Sequence, residues 1–242
     1  MEENAFIKIK KLFLEIFFPK FCLGCKKEGE YLCSDCKELL DILRIHKNHK
    51  TKFISDLYFP LPYKNPLVKK LISNYKYEPF LKDLAGVLSF LILNHFQLLD
   101  NPPSFISPQP KNGGGSELIF IPIPLEKGKL KWRGFNQSEE IGKKLSEFLK
   151  IPLFNNVLFK KRMTLPQVKL TGSQRRENVK GCFLVKNGNL IKNKKILLVD
   201  DIYTTGATMD EAAKVLREAG VKKIIGIVIA RAEPGEDRIE NI

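Results

Sequence analysis

Asp200 and Asp201 stand side by side at the end of the apolar run Ile196-Leu197-Leu198-Val199 and are followed by Thr204-Thr205-Gly206-Ala207-Thr208. The two halves of this stretch suit the two ends of one ligand. Gly206 lets the backbone approach closely, the threonine hydroxyls donate, and a helix starting here offers unpaired N–H groups, so the loop can seat a phosphate. Two carboxylates would repel that phosphate. They belong at the other end, where sugar hydroxyls or a magnesium ion need acceptors. A sugar bearing a 5-phosphate satisfies both halves. Neither G-x-x-x-x-G-K-[ST] nor G-x-G-x-x-G occurs, so a P-loop or a dinucleotide fingerprint is not supported. A receiver domain also begins with paired acids at a strand end, but it lacks the hydroxyl-rich loop.

Four cysteines form a second constellation. Cys22-Leu-Gly-Cys25 and Cys33-Ser-Asp-Cys36 are two C-x-x-C knuckles, the spacing that brings two thiolates of one turn to a tetrahedral metal. Together they predict a structural zinc site with no open position for catalysis, and Glu28-Gly29 can make the tight hairpin between the knuckles. A folding staple is favoured over a nucleic-acid contact. His46 and His49 follow closely, but four cysteines already complete the site, so both are expected at the surface. Cys182 is read as a small buried apolar residue and His95 as structural.

These groups need elements to position them. Ile196 to Val199 is expected as a strand buried on both faces of a parallel sheet, leading into a helix with Asp210 and Glu211 in its first turn and Gly220 as its left-handed stop. Leu118 to Pro124 is a second buried strand, and the C-terminal edge of such a sheet is where ligands bind. The loop expected from Glu126 to Gln137 carries Lys127, Lys129, Lys131 and Arg133, cations suited to pyrophosphate. A helix then follows with Ile141, Leu145, Phe148 and Leu149 on one face. Arg162 to Phe183 has little apolar periodicity but contains Gln167, Arg175-Arg176, Asn178 and Gly181, and is expected to close over a leaving group. Plain surface charge is the alternative for the two arginines. Phe53 to Phe59 alternates like a strand, and Asn65 to Leu99 is mostly helical. Between its helices, Tyr75 to Phe80 is read as sealing a core edge in preference to stacking on a base or ribose.

The chain of 242 residues has room for one full domain and a small appendage, and its 43% hydrophobic content is that of a globular protein. A net charge of +14 favours polyanions, although a solvated lysine-rich surface explains it equally well. Phe6, Ile9, Phe13, Ile16 and Phe17 make an amphipathic helix of Ala5 to Phe18, too short and too charged to span a bilayer. It is expected to pack on the protein's own body, and with no secretory signal the chain is expected to be cytoplasmic. The expected layout is a helix and zinc module over 1–48, a main domain over 49–232 with a flexible Pro- and Gly-rich insertion at 101–116, and a tail over 233–242.

Hydrophobic strand, paired acids and Thr/Gly loop resemble the phosphoribosyl-pyrophosphate (PRPP) motif of type I phosphoribosyltransferases. With IPIPLEKGKLKWRGFNQ, LPQVKLTGSQRRENVKGCF, ILLVDDIYTTGAT, GIVIAR and the double knuckle in view, nearly the whole chain resembles the ComF competence-protein family. That resemblance implies an α/β type I phosphoribosyltransferase core, a parallel sheet flanked by helices, preceded by the four-cysteine module. It implies a PRPP site of Asp200, Asp201, Tyr203, Thr204, Thr205, Gly206, Ala207, Thr208, Arg133, Arg175 and Arg176, with Asp200, Asp201 and Arg133 closest to the chemistry. It implies zinc on Cys22, Cys25, Cys33 and Cys36, magnesium with PRPP, and a link to natural transformation, with single-stranded DNA and other competence proteins as partners. The reaction would be phosphoribosyl transfer to an acceptor that no residue names; Arg231 is a positional guess. The rival readings are a PRPP-sensing or strand-binding component without turnover, and a zinc-dependent nucleic-acid module.

Overall fold

Apolar runs that are covered on both faces pair in parallel, and here they do so around the strand that ends in the paired acids. The computed structural model describes residues 17, 19–46, 48–106, 117–161 and 172–233. The expected helix at 5–18, apart from Phe17, lies outside them, as do 107–116 of the expected insertion, Gln167 with 162–171, and 234–242 of the tail. The chain divides into two compact units, 1–41 and 42–242. The first contains helix α1 (Ser34–Glu38).

In the second unit, strands β1 (Asp56–Tyr58), β3 (Leu118–Pro122), β6 (Lys195–Val199) and β8 (Lys223–Ile227) form one parallel sheet in the order β1-β8-β6-β3. Its register sets Pro122 beside Val199 and Val199 beside Ile227. Strands β2 (Leu61–Pro62), β7 (Ile202–Tyr203) and β9 (Ala230–Arg231) form a second parallel sheet in the order β2-β9-β7. These are the continuations of β1, β6 and β8 after a short interruption in each. A hairpin of β4 (Leu158–Lys160) and β5 (Phe183–Val185) is antiparallel.

Helices flank the sheet: α2 (Pro66–Lys76), α3 (Leu84–Leu98), α4 (Lys127–Arg133), α5 (Gln137–Leu149), α6 (Gly172–Val179) and α7 (Ala207–Glu218). Asn65 starts α2 by accepting from the N–H groups of Leu67 and Val68, with Pro66 at the first helical position. Helix α7 buries Met209, Ala212, Ala213 and Leu216 against the sheet and ends before Gly220, whose φ is +88°. Met209 and Leu216 each contribute roughly 1.5–3 kcal/mol by leaving water, and the two alanines less. None of the described helices is long and apolar enough to cross a membrane.

Three local expectations are corrected. The segment after β3 is not a loop of free amides: it is α4, because the Glu126 carboxylate caps it by taking the N–H groups of Gly128 and Lys129. On α5 the inward stripe is Ser138, Ile141, Gly142 and Leu145, while Phe148 is 61% exposed. His46 and His49 are not plain surface residues. His46 meets the Asp56 carboxylate at 2.9 Å and stacks on Tyr58, and His49 shares a hydrogen bond with the Tyr203 hydroxyl. His95 and Cys182 are buried as expected, His95 with its Nδ1 on the Leu43 carbonyl at 2.7 Å.

Candidate functional site

The interruption of the strands builds the site. Between β6 and β7 the chain spends two residues, Asp200 and Asp201, and the neighbouring strand stays in step through Asp200 N–H to the Ile227 carbonyl (3.0 Å) and Ile229 N–H to the Asp201 carbonyl (2.9 Å). The backbone is thereby held while both side chains leave the regular alternation of the strand. Asp200 Oδ1 accepts from Ser138 Oγ at 3.0 Å and from the Asp201 N–H at 2.9 Å. Asp201 lies 2.8 Å from Lys76 Nζ and accepts from the Ile202 N–H at 2.7 Å. Burial and the neighbouring Asp201 push Asp200 up to about 7. Burial works against the charge on Lys76, but Asp201 outweighs it and holds this lysine protonated.

Asp200, Asp201 and the whole of Tyr203 to Thr208 line one cavity of about 410 Å³. Gly206 has φ +76°, and a Cβ there would sit 2.2 Å from the Tyr203 hydroxyl, so only glycine fits beneath that ring. From Gly206 the chain enters α7, whose first N–H groups face the loop, with Thr205 Oγ1 taking that of Ala207 at 3.5 Å. Gly206→Ala is therefore expected to destabilise the fold by about 1–3 kcal/mol through backbone strain. A melting curve checks this, at about 2–4 °C per kcal/mol for a chain of this size; an unchanged midpoint would contradict the close approach.

Cations line the cavity together with the carboxylates. Arg175 is 4% exposed and its guanidinium donates to Thr204 Oγ1 at 3.3 Å, whereas Arg176 is exposed and does not line the cavity. Arg133 lines it as well, held by the Gln137 side chain, with its buried Nε lacking a hydrogen-bond partner among the described residues. Lys129 and Lys160 join them, each lowered from its ordinary lysine value first by burial. Five cations facing two acids suit a ligand of high negative charge that also offers hydroxyls.

Of the residues singled out in the sequence, the acids, the loop, Arg133 and Arg175 line this cavity. Sequence reasoning missed Ser138 and Lys160, and it weighed Lys76 only as part of an aromatic cluster that seals a core edge or stacks on a base or ribose, whereas Lys76 ion-pairs with Asp201. Lys160 had no signal in the sequence, since the strand carrying it pairs with β5 more than twenty residues later.

In the first unit the Sγ atoms of Cys22, Cys25, Cys33 and Cys36 all lie within 4.8 Å of one another. A zinc–sulfur distance of about 2.3 Å makes the tetrahedral edge about 3.8 Å, so the four sulfurs fit one zinc ion. Gly24 lets them converge: a Cβ there would lie 2.6 Å from Cys36 Sγ. Against its burial, backbone N–H groups of Cys33, Cys25 and Gly24 bring the Cys22 thiol down to about 6, while burial pushes Cys36 up to about 12. A zinc ion held by these four cysteines would favour all four as thiolates.

A phosphoribosyl transferase domain model matches residues 136–242. The chain is 34% identical over 208 residues to competence protein ComFC of Streptococcus pneumoniae, covering 84% of this chain and 77% of that protein. It is 38% identical over 114 residues to competence protein F of Haemophilus influenzae, covering 47% of this chain and half the length (50%) of that relative. A third relative, the DNA utilization protein YhgH of Escherichia coli O157:H7, is 31% identical over 105 residues, covering 43% of this chain and 45% of that protein.

Proposed function

Because the chain belongs to the ComFC family of competence proteins and carries a phosphoribosyltransferase-fold domain, we propose that it binds PRPP with magnesium and transfers its phosphoribosyl group in support of DNA uptake. One observation carries this reading. The interrupted strand β6–β7 turns Asp200 and Asp201 into the same cavity as the Thr204–Thr208 loop, so acceptors for ribose hydroxyls and donors for a 5-phosphate face one space.

Each residue then has a task. Asp200 and Asp201 accept from the ribose 2- and 3-hydroxyls and fix the ring, while residues 204–208 hold the 5-phosphate with N–H and hydroxyl donors. Arg133, Lys129 and Arg175 neutralise the diphosphate. Bound magnesium would supply further neutralisation of the diphosphate, and the paired acids, of which Lys76 balances one, are the groups that would hold it. In the reaction the C1–O bond to the diphosphate breaks, its electron pair leaves with pyrophosphate, and C1 forms a bond to an acceptor nucleophile, which loses a proton. The protein contributes positioning and charge stabilisation, each well-placed donor accounting for about 2.7–4 kcal/mol of barrier.

Pyrophosphate release from PRPP and magnesium, screened with free bases and with single-stranded DNA, tests transfer directly. Release that depends on an acceptor is the expected result. PRPP binding with no release for any acceptor would leave a PRPP-sensing role in its place.

Titration of the acids adds a check on the apo protein. The folded value of Asp200 lies above its ordinary 3.8, at about 7, so folding takes up a proton between those values. Stability without ligand is therefore expected to fall as pH rises from about 4 to about 7, a slope that Asp200→Asn flattens. A pH series of urea midpoints that rises over this window would contradict the assigned environment of Asp200.

A further inference from the structure

His49 and Thr51 come from a segment that does not line the cavity, yet both grip the phosphate loop where it begins and ends. Tyr203 precedes the loop and Asp210 follows it in the first turn of α7. His49 Nε2 and the Tyr203 hydroxyl share a hydrogen bond of 2.9 Å, and the two rings meet edge to face at 5.1 Å. Thr51 Oγ1 donates to Asp210 Oδ1 at 2.6 Å while accepting the N–H groups of Phe53 (3.3 Å) and Ile54 (3.1 Å). With both acceptances filled by amides, the hydroxyl proton points at the carboxylate.

The segment is itself anchored to β1. The Asp56 carboxylate takes His46 Nε2 at 2.9 Å and the His49 N–H at 3.4 Å, and the His46 ring lies over Tyr58 with 4.2 Å between centroids. The grip reaches the ligand-facing backbone through Tyr203, whose hydroxyl is where a Cβ on residue 206 would fall. Between the two held ends, residues 204–208 are small or hydroxylated and carry no bulky side chain to fix their shape. Arg175 holds Thr204 between them, and the remaining order of such a loop is set at its ends.

We infer that His49 and Thr51 are positioning residues for the phosphate subsite, holding residues 204–208 in the shape that receives the phosphate ester of a sugar. The inference rests on the sugar-phosphate reading of the cavity and assigns this segment to the phosphate half alone. A loop already ordered spares the ligand the ordering cost on binding, so loosening either end weakens affinity without removing a direct contact.

The test uses the full chain, titrated calorimetrically with ribose 5-phosphate and, separately, with inorganic pyrophosphate. His49→Phe keeps a ring without the nitrogen, and Thr51→Val keeps the shape without the hydroxyl. Each is expected to weaken ribose 5-phosphate binding about five- to tenfold, the effect of one hydrogen bond, and to leave pyrophosphate within about twofold. Thr51→Ser restores the wild-type value. Equal losses for both ligands, no loss for either, or no rescue by serine would overturn the inference. A wild type that fails to bind ribose 5-phosphate brings down the cavity reading as well, whereas wild-type binding with unaltered variants sinks only the role of His49 and Thr51. If His49→Phe does not fold, the Thr51→Val and Thr51→Ser pair decides the matter.

Discussion

PRPP with magnesium is expected to raise the melting temperature of the wild-type chain and to leave the Asp200→Asn/Asp201→Asn variant where it was. A ligand at a hundredfold excess over its Kd stabilises by about 2.7 kcal/mol, which is about 5–11 °C at 2–4 °C per kcal/mol. The variant keeps residues 204–208 and the cations but loses the charge proposed to accept from ribose hydroxyls and to hold magnesium. It also removes the Lys76–Asp201 ion pair, so the apo variant serves as its own baseline. The opposing charge effects make this substitution informative. Asparagine at 200 relieves a carboxylate that burial holds near 7, whereas asparagine at 201 leaves Lys76 without its ion-pair partner, so the melting curve of the apo variant is what separates lost binding from lost folding. An equal ligand-induced rise in wild type and variant would show that the acids do not touch the ligand, and no rise in the wild type would remove PRPP from the account.

Metal removal should have the second large effect, confined to the first unit. Metal analysis is expected to find one zinc per chain, and a strong chelator, or Cys36→Ser, is expected to open residues 19–41 to proteolysis. Structural zinc supplies about 10–16 kcal/mol of apparent binding energy in small cysteine modules. Few other forces act there: of the buried apolar side chains in that stretch apart from the cysteines, Leu23, Leu32 and Leu40 are the ones present. Gly24→Ala should act in the same direction while preserving every ligand, because its Cβ would meet Cys36 Sγ. Zinc-free protein with a protease-resistant first unit would contradict the assignment.

The sequence by itself determined the components whose chemistry is local. Ile196 to Val199 is apolar throughout, so it had to be a doubly covered strand, and the acids, Gly206 and the threonines follow it without interruption. The four cysteines likewise announce a set able to hold a metal ion by spacing alone. A family likeness spread over most of the chain reinforced both. Even the capping of α4 by Glu126 was written locally, but it was overshadowed by the run of lysines around it.

Only the tertiary structure decided which cations face the acids. Arg175 and Arg176 are adjacent in sequence, and the turn of α6 sends one inward to Thr204 and the other to solvent. Lys76 reaches Asp201 across more than a hundred residues, and Lys160 enters the cavity because β4 pairs with a distant β5. His49 and Thr51 are invisible as loop supports until β1 sets their segment beside β7 and α7. The physical reason is the same in each case: an ion pair or hydrogen bond depends on distances of about 3 Å that sequence neighbours do not set, whereas strand burial, glycine turns and cysteine knuckles are fixed within a few residues.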